Sequence, residues 1–260
     1  MAGVRYGACM SAIRSLAFGV LVVAVSACAA NDEDRNVIVP PGGGPPGGGS
    51  AGPDAAPAEV DADPSNPGNG RVCLLNQLRN RSSCRNTGAA GVAVEWDVGN
   101  ATTTANGTFS IVGSPPSGGD QVLISGGGAA TSVTTFVAGA PLVFPAVTIS
   151  ELSDIATVND LIVPLGTGGL LVYVVAEDGT PRPTHDLVVA PPAESTPVIY
   201  DSANSATVWT TNGTGPGGAA LALGLPPGVV EAVVTGPDGS ATVNVSIVAD
   251  TLRFVVVTIP

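Results

Sequence analysis

The chain contains no lysine, and it is poor in other residues that carry chemistry. All nine of its cationic residues are arginines, and its 260 residues include one histidine, four cysteines and 4% aromatic residues. The lack of lysine excludes a Schiff-base lysine, a P-loop lysine and a lysine–asparagine crosslink. A single histidine leaves little for acid–base relays or metal binding. We therefore predict a protein that is not an enzyme and needs neither a cofactor nor a metal.

Positive charge is scarce as well. The formal net charge is −12, and only 12% of the residues are charged. Nucleic-acid binding depends on arginine and lysine clusters that replace the counterions of the phosphates. The charge balance therefore predicts no nucleic-acid partner.

The first residues have the architecture of an export signal. Residues 1–14 carry Arg5 and Arg14 and no acid, and an apolar run follows at residues 16–25. A positive segment followed by about ten apolar residues fits a signal peptide. A membrane-spanning helix needs about 20 apolar residues, so this run is too short for one.

The end of the apolar run resembles a bacterial lipobox. Residues 25–28 read Val-Ser-Ala-Cys, and in bacterial lipoproteins the cysteine of this motif is acylated and becomes the new N-terminus. The resemblance implies a signal peptide over residues 1–27 and lipidation of Cys28. It also implies anchoring at the cell outer membrane. Residue 29 is alanine, and lipoproteins without aspartate at this position are usually sorted to the outer membrane. An ordinary secretory signal with an incidental Cys28 is the alternative.

Residues 28–70 are predicted to be a lipidated, disordered linker. Of the 31 residues from 40 to 70, 17 are glycine or proline. Such a segment cannot bury enough apolar surface to offset the entropy lost on ordering.

The rest of the chain is predicted to be all-β. Short runs rich in β-branched residues alternate with turn residues; in residues 92–98, valines and Trp96 share one strand face and Glu95 and Asp97 share the other. Similar Asn-Gly-Thr and Pro-Pro patterns recur about 110 residues apart, as in tandem domains. We predict two Ig-like or transthyretin-like β-sandwiches, at residues 71–150 and 168–260. Residues 151–167 form the connector, with helical spacing that predicts a short helix.

A family resemblance supports this prediction. Gly91-Val-Ala-Val, then Asn106-Gly107-Thr-Phe109, then Pro116-Ser-Gly118 resembles the carboxypeptidase regulatory-like domain, which is similar to the B-type repeats of collagen adhesins. The resemblance implies a transthyretin-like sandwich with a hairpin turn at Asn106-Gly107 and Phe109 in the core. It implies no catalytic residues, because the family shares none.

Two cysteines remain for the predicted body. In an exported chain, Cys73 and Cys84 most simply form a disulfide. The alternative, a zinc site, has too few ligands in two cysteines and a distant histidine.

Arginines beside this pair form the candidate ligand site. Arg79, Arg81 and Arg85 lie near one another in the chain, and Trp209 is a candidate stacking platform for a sugar. Residues 213–218 fit a G-x-G-x-x-G template, but the proline pair at 226–227 leaves no room for the helix that a dinucleotide site requires.

These features lead to three hypotheses about the function. The leading hypothesis is a non-enzymatic, lipid-anchored protein of the cell envelope that acts as a structural or adhesion-like interaction module. Its partners are the membrane, through the lipid anchor, and an unidentified protein or glycan. The second hypothesis is a carbohydrate-binding surface lipoprotein, and the third is a hydrolase that uses Glu95 and Asp97, which lie about 7 Å apart along a strand.

Lipidation of Cys28 is directly testable. We expect Cys28→Ala to release the protein from membranes, because stable anchoring depends on the acyl chains. The measurement is the share of protein that sediments with membranes, with Cys84→Ala as the control that should stay bound. A Cys28→Ala protein that still sediments would rule out the anchor.

Overall fold

The structure is a computed structural model that describes residues 69–85, 89–193 and 197–260. The predicted signal peptide, Cys28 and the predicted linker up to residue 68 lie outside the described residues. Within the described ranges, no helix is long and apolar enough to cross a membrane.

The all-β prediction is confirmed. Strands dominate the described residues. The helix α1, Ile149–Val158, begins two residues before the predicted connector, residues 151–167, and otherwise lies within it. In chain order the strands are β1 Asn69–Leu74, β2 Val92–Trp96, β3 Gly99–Thr102, β4 Thr108–Ser110, β5 Val112–Gly113, β6 Gln121–Gly126, β7 Ala129–Thr135, β8 Val143–Ala146, β9 Gly168–Val175, β10 Asp186–Ala190, β11 Ile199–Ser202, β12 Ser205–Thr210, β13 Ala219–Leu225, β14 Gly228–Gly236, β15 Gly239–Ile247 and β16 Leu252–Thr258.

One large sheet runs through both predicted halves of the body. Its order is β12-β11-β13-β9-β16-β7-β6-β2-β3-β5, and two smaller sheets have the orders β4-β1-β8 and β10-β14-β15. The halves join at β16, which runs parallel to β9 along its full length and parallel to β7 at Leu252 and Arg253. The division into two domains, with a connector at residues 151–167, stays a prediction. The structure shows in addition that strands from both halves belong to one sheet.

Three clusters of buried side chains form the core. The first lies between β4-β1-β8 and the β2–β6 part of the large sheet, and it contains Phe109, as the family resemblance implies. The second lies between β10-β14-β15 and one face of β9 and β13. The third covers the opposite face of these two strands and includes side chains of α1 and of residues 73–78.

Strand β9 shows why the third cluster exists. All eight of its residues are buried. Leu170, Val172 and Val174 enter the second cluster, whereas Leu171 and Tyr173 point the other way into the third. A strand that reads as an unbroken apolar run must be covered on both faces. The second half of the body is therefore a three-layer structure.

Two local predictions differ from the structure. The alternation over residues 92–98 predicts that Val98 shares the core face with Trp96. Val98 is exposed instead, because β2 ends at Trp96 and the next two residues form the turn to β3. The Asn106-Gly107 turn does not make a hairpin. It carries the chain from β3 in the large sheet to β4, which pairs with β1 instead. This crossing places Phe109 inside the first cluster.

The helix begins and ends at recognisable caps. Thr148 is the N-cap, and its side chain accepts a hydrogen bond from the Glu151 backbone N–H, a bond of 3.1 Å that satisfies one of the free donors of the first turn. Asn159 is the C-cap; its side-chain oxygen accepts from the Trp209 N–H at 2.9 Å. Ile155 is fully buried in the third cluster. The caps and one apolar side chain thus fix α1 against β12.

Gly107 provides a test of the crossing turn. Its φ is +77°, and a Cβ there would lie 2.8 Å from the Val72 carbonyl oxygen. Gly119 also has a positive φ, +95°, but a Cβ there meets nothing within 4 Å. The left-handed conformation costs an alanine about 1–2 kcal/mol at either position, so we expect Gly107→Ala to lower the free energy of unfolding clearly more than Gly119→Ala. Equal losses in urea titrations would contradict the close approach of the turn to β1.

Candidate functional site

The predicted disulfide is present and organises the candidate site. Cys73 and Cys84 are bonded, with their Cα atoms 4.9 Å apart and a sequence separation of 11. We refer to residues 73–84 as the disulfide loop. Closing a loop of this size stabilises a fold by about 3 kcal/mol in the chain-entropy treatment.

The disulfide loop is held from both sides at Leu78. This side chain and that of Leu75 are fully buried in the third core cluster. The Leu78 N–H donates to the Glu151 carboxylate at 3.1 Å, and the Leu78 carbonyl accepts from the Tyr173 hydroxyl at 2.7 Å. The loop therefore bridges α1 and β9, and the backbone N–H and C=O of its buried Leu78 are both satisfied.

Burial changes the titration of both side chains that hold Leu78. Desolvation raises the pKa of Glu151 above 4.5, although Arg85, at 3.4 Å, and the Leu78 N–H act in the opposite direction. Desolvation also raises the pKa of Tyr173 above its usual value. The Tyr173 hydroxyl therefore keeps its proton and remains a donor to the loop.

The predicted arginine patch is divided in the structure. Arg79 and Arg81 line a polar cavity of about 390 Å³. Arg79 donates to the carbonyls of Ser202 and Ala203, and Arg81 donates to the Gly179 carbonyl at 3.0 Å. These bonds tie the disulfide loop to two turns of the second half. Arg85 lies apart from the cavity and forms an ion pair with Glu151.

Trp209 does not belong to this patch, and its assignment there is wrong. Only 5% of the residue is exposed, and its ring lies in the third core cluster. The indole N–H donates to the Ala206 carbonyl at 3.1 Å. The residue is buried because β12 packs against α1, a contact that strand periodicity does not reveal.

Burial of the aromatic rings also weakens the glycan-binding hypothesis. A sugar platform needs a ring face that is open to solvent. Among the aromatic residues that the structure describes, only Phe136 is partly exposed. The others are buried: Trp96, Phe109, Phe144, Tyr173, Tyr200, Trp209 and Phe254.

The glycine-rich segment at 213–218 binds an anion that belongs to the protein itself. Asp201 is 1% exposed. Its carboxylate accepts from the backbone N–H groups of Gly215 and Ala219, both at 2.8 Å, and of Gly217 at 2.7 Å. Backbone amides that converge on one point in this way form an anion-binding site. Strand β13 rather than a helix follows, as the proline pair indicated.

The remaining candidates lie in separate places. Glu95 and Asp97 are both exposed, and Asp97 belongs to the turn after β2. His185 is fully buried; its Nδ1 lies 2.9 Å from the Pro183 carbonyl oxygen. The sequence around His185 carries no signal for this burial.

A second cavity, which the sequence did not indicate, also borders the disulfide loop. We call it the β16 groove. Its volume is about 600 Å³, and its lining is mainly apolar. Arg81 lines both this groove and the polar cavity. The disulfide itself forms part of the wall, so the predicted cysteine pair helps to shape the groove.

Comparison with known proteins is limited to weak structural likeness. No family model and no curated protein matches the chain. A solved streptococcal ancillary pilin aligns over 74% of this chain and 68% of its own, with 10% identity and a TM-score of 0.27. A fimbrial protein from Bacteroides ovatus aligns over 74% of this chain and 50% of its own, with 11% identity and a TM-score of 0.19. Both TM-scores are below 0.5, so neither likeness supports a statement about this chain.

Asp201 provides a test of the internal anion site. We expect Asp201→Asn to lower the free energy of unfolding by about 1–3 kcal/mol, because an amide group cannot accept all three N–H bonds and leaves buried donors unpaired. Urea titration measures the loss. Asp97→Asn, on an exposed turn, is the matched control and should be neutral within about 0.5 kcal/mol. If the two variants lose the same amount, the glycine segment does not depend on the carboxylate.

Proposed function

We propose that the protein is a non-enzymatic, lipid-anchored protein of the bacterial outer membrane whose β-sandwich body binds a partner protein. The observation that carries this proposal is the β16 groove, where Val137, Val143 and Val256 are 67%, 39% and 51% exposed. Neighbouring exposed apolar side chains around a concave surface mark interaction sites more often than plain surface.

Sequence features support the remaining parts of the proposal. The lipobox-like residues 25–28 support the anchor, and the glycine- and proline-rich segment supports a spacer between membrane and body. The motif around Phe109 supports a sandwich of the carboxypeptidase regulatory-like type, a family without shared catalytic residues. A protein partner is preferred over a glycan because the described aromatic rings are almost all buried.

Site-specific crosslinking in cells tests the proposal. A photo-crosslinking amino acid is placed at Val137 in the full chain, and at Val208, which is 50% exposed on β12, as the control. We expect a discrete protein adduct from position 137 alone, identified by mass spectrometry. Adducts of equal yield from both positions, or none from 137, would contradict the proposal. Retention of the full chain on a glycan array would favour the carbohydrate-binding alternative instead.

A further inference from the structure

The β16 groove lies beside a strand edge that is only partly paired. β16 pairs with β9 over residues 252–258, but with β7 only at Leu252 and Arg253. From Phe254 onward, the edge facing away from β9 has no strand partner among the described residues. The backbone groups on an open edge are a template for one more strand.

The side chains around this edge are arranged for apolar contact. Tyr173, Phe254 and Phe144 line the groove as buried rings, and the exposed valines 137, 143 and 256 line its rim. The open stretch of five residues is about 16 Å long at the rise of a β-strand. The groove volume, about 600 Å³, lies within the range of ligand-binding cavities.

Charge in the groove has one sign. Among the described residues, no aspartate or glutamate lines it, although the chain as a whole carries a net charge of −12. Arg81 lies in its wall. Arg253 lies behind the wall, where it donates to the hydroxyl of Thr135, a residue that lines the groove. Arg253 is 7% exposed, and its Nε and Nη1 atoms have no hydrogen-bond partner among the described residues. A buried guanidinium with so few partners favours a nearby carboxylate.

We infer that the β16 groove binds an extended segment of a partner protein, which adds to the open edge of β16 as a strand. The inference rests on the proposed function and names the chemistry of its partner. Backbone hydrogen bonds to residues 254–258 hold the segment, and its alternate apolar side chains enter the groove. A carboxylate of the segment meets the positive charge of Arg81 and Arg253. An acyl chain would fill the apolar space but would leave the strand edge unpaired.

Peptide selection against the purified full chain tests this inference. The probe is a display library of random nonapeptides, and the strongest peptides are then synthesised and titrated. We expect apolar, β-branched residues at alternate positions and at least one aspartate or glutamate. Val256→Glu should weaken binding at least tenfold, because it places a negative charge in the groove, which repels the carboxylate of the peptide. Val208→Glu should leave binding unchanged. Both valines are half exposed, so both variants are expected to fold, which circular dichroism verifies.

Two further measurements separate strand addition from mere apolar contact. N-methylation of alternate backbone amides should weaken binding at least tenfold in one register and little in the other, since only every second amide faces the edge. Replacing the acidic residue by glutamine should weaken binding several-fold, and less so at high salt.

Other outcomes overturn the inference in distinct ways. The strand proposal is wrong if no selected peptide depends on Val256, or if N-methylation has no effect in either register. Binding of laurate that Val256→Glu abolishes, without peptide binding, would assign the groove to an acyl chain. Concentration-dependent dimerisation that Val256→Glu abolishes would assign it to a second copy of the chain. A specific in-cell adduct at position 137 together with failed peptide selection would preserve the proposed function and reject strand addition.

Discussion

The rest of the structure depends on the need to cover β9 on both faces. Each of its eight residues is buried, and alternate side chains enter two different core clusters. One face is covered by β10-β14-β15, a sheet made from the same half of the body. The other is covered by α1 and by the disulfide loop, which comes from the far end of the folded chain. The second half therefore cannot bury its apolar surface without residues 73–84.

Polar groups fix this cover in place. Leu78 lies between the Glu151 carboxylate and the Tyr173 hydroxyl, and Arg79 and Arg81 hold the loop to turns of the second half. Asp201 organises the segment between β12 and β13, because its carboxylate accepts from the amides of Gly215, Gly217 and Ala219. Residue types that suggest ligand binding in the sequence are thus largely occupied within the fold. The anion site of the glycine segment is real, and its anion is a side chain of the protein.

The same arrangement leaves a groove for a partner. β7 and β16 pair at two residues and then separate, because β7 continues along β6 while β16 continues along β9. The space between them is bounded by β8 and the disulfide loop. Its open strand edge, exposed valines and two arginines are the features on which the proposed protein interaction depends. An export signal and a flexible spacer, as proposed, would present this surface outside the cytoplasm.

Local patterns in the sequence determined a large part of this protein. Alternation of apolar and turn residues located the strands of both halves, and the two cysteines of the body allowed one disulfide. Such features depend on neighbours in the chain, through strand periodicity, turn geometry and redox chemistry. Only the tertiary structure decided that both halves share a sheet and that Trp209 is buried under α1. It also decided that Arg79 and Arg81 separate from Arg85 and that β16 keeps an open edge. These outcomes depend on which segments, distant in the chain, pack against one another. The apolar sequence of β9 indicates that both faces of this strand must be covered. It does not indicate which segments cover them.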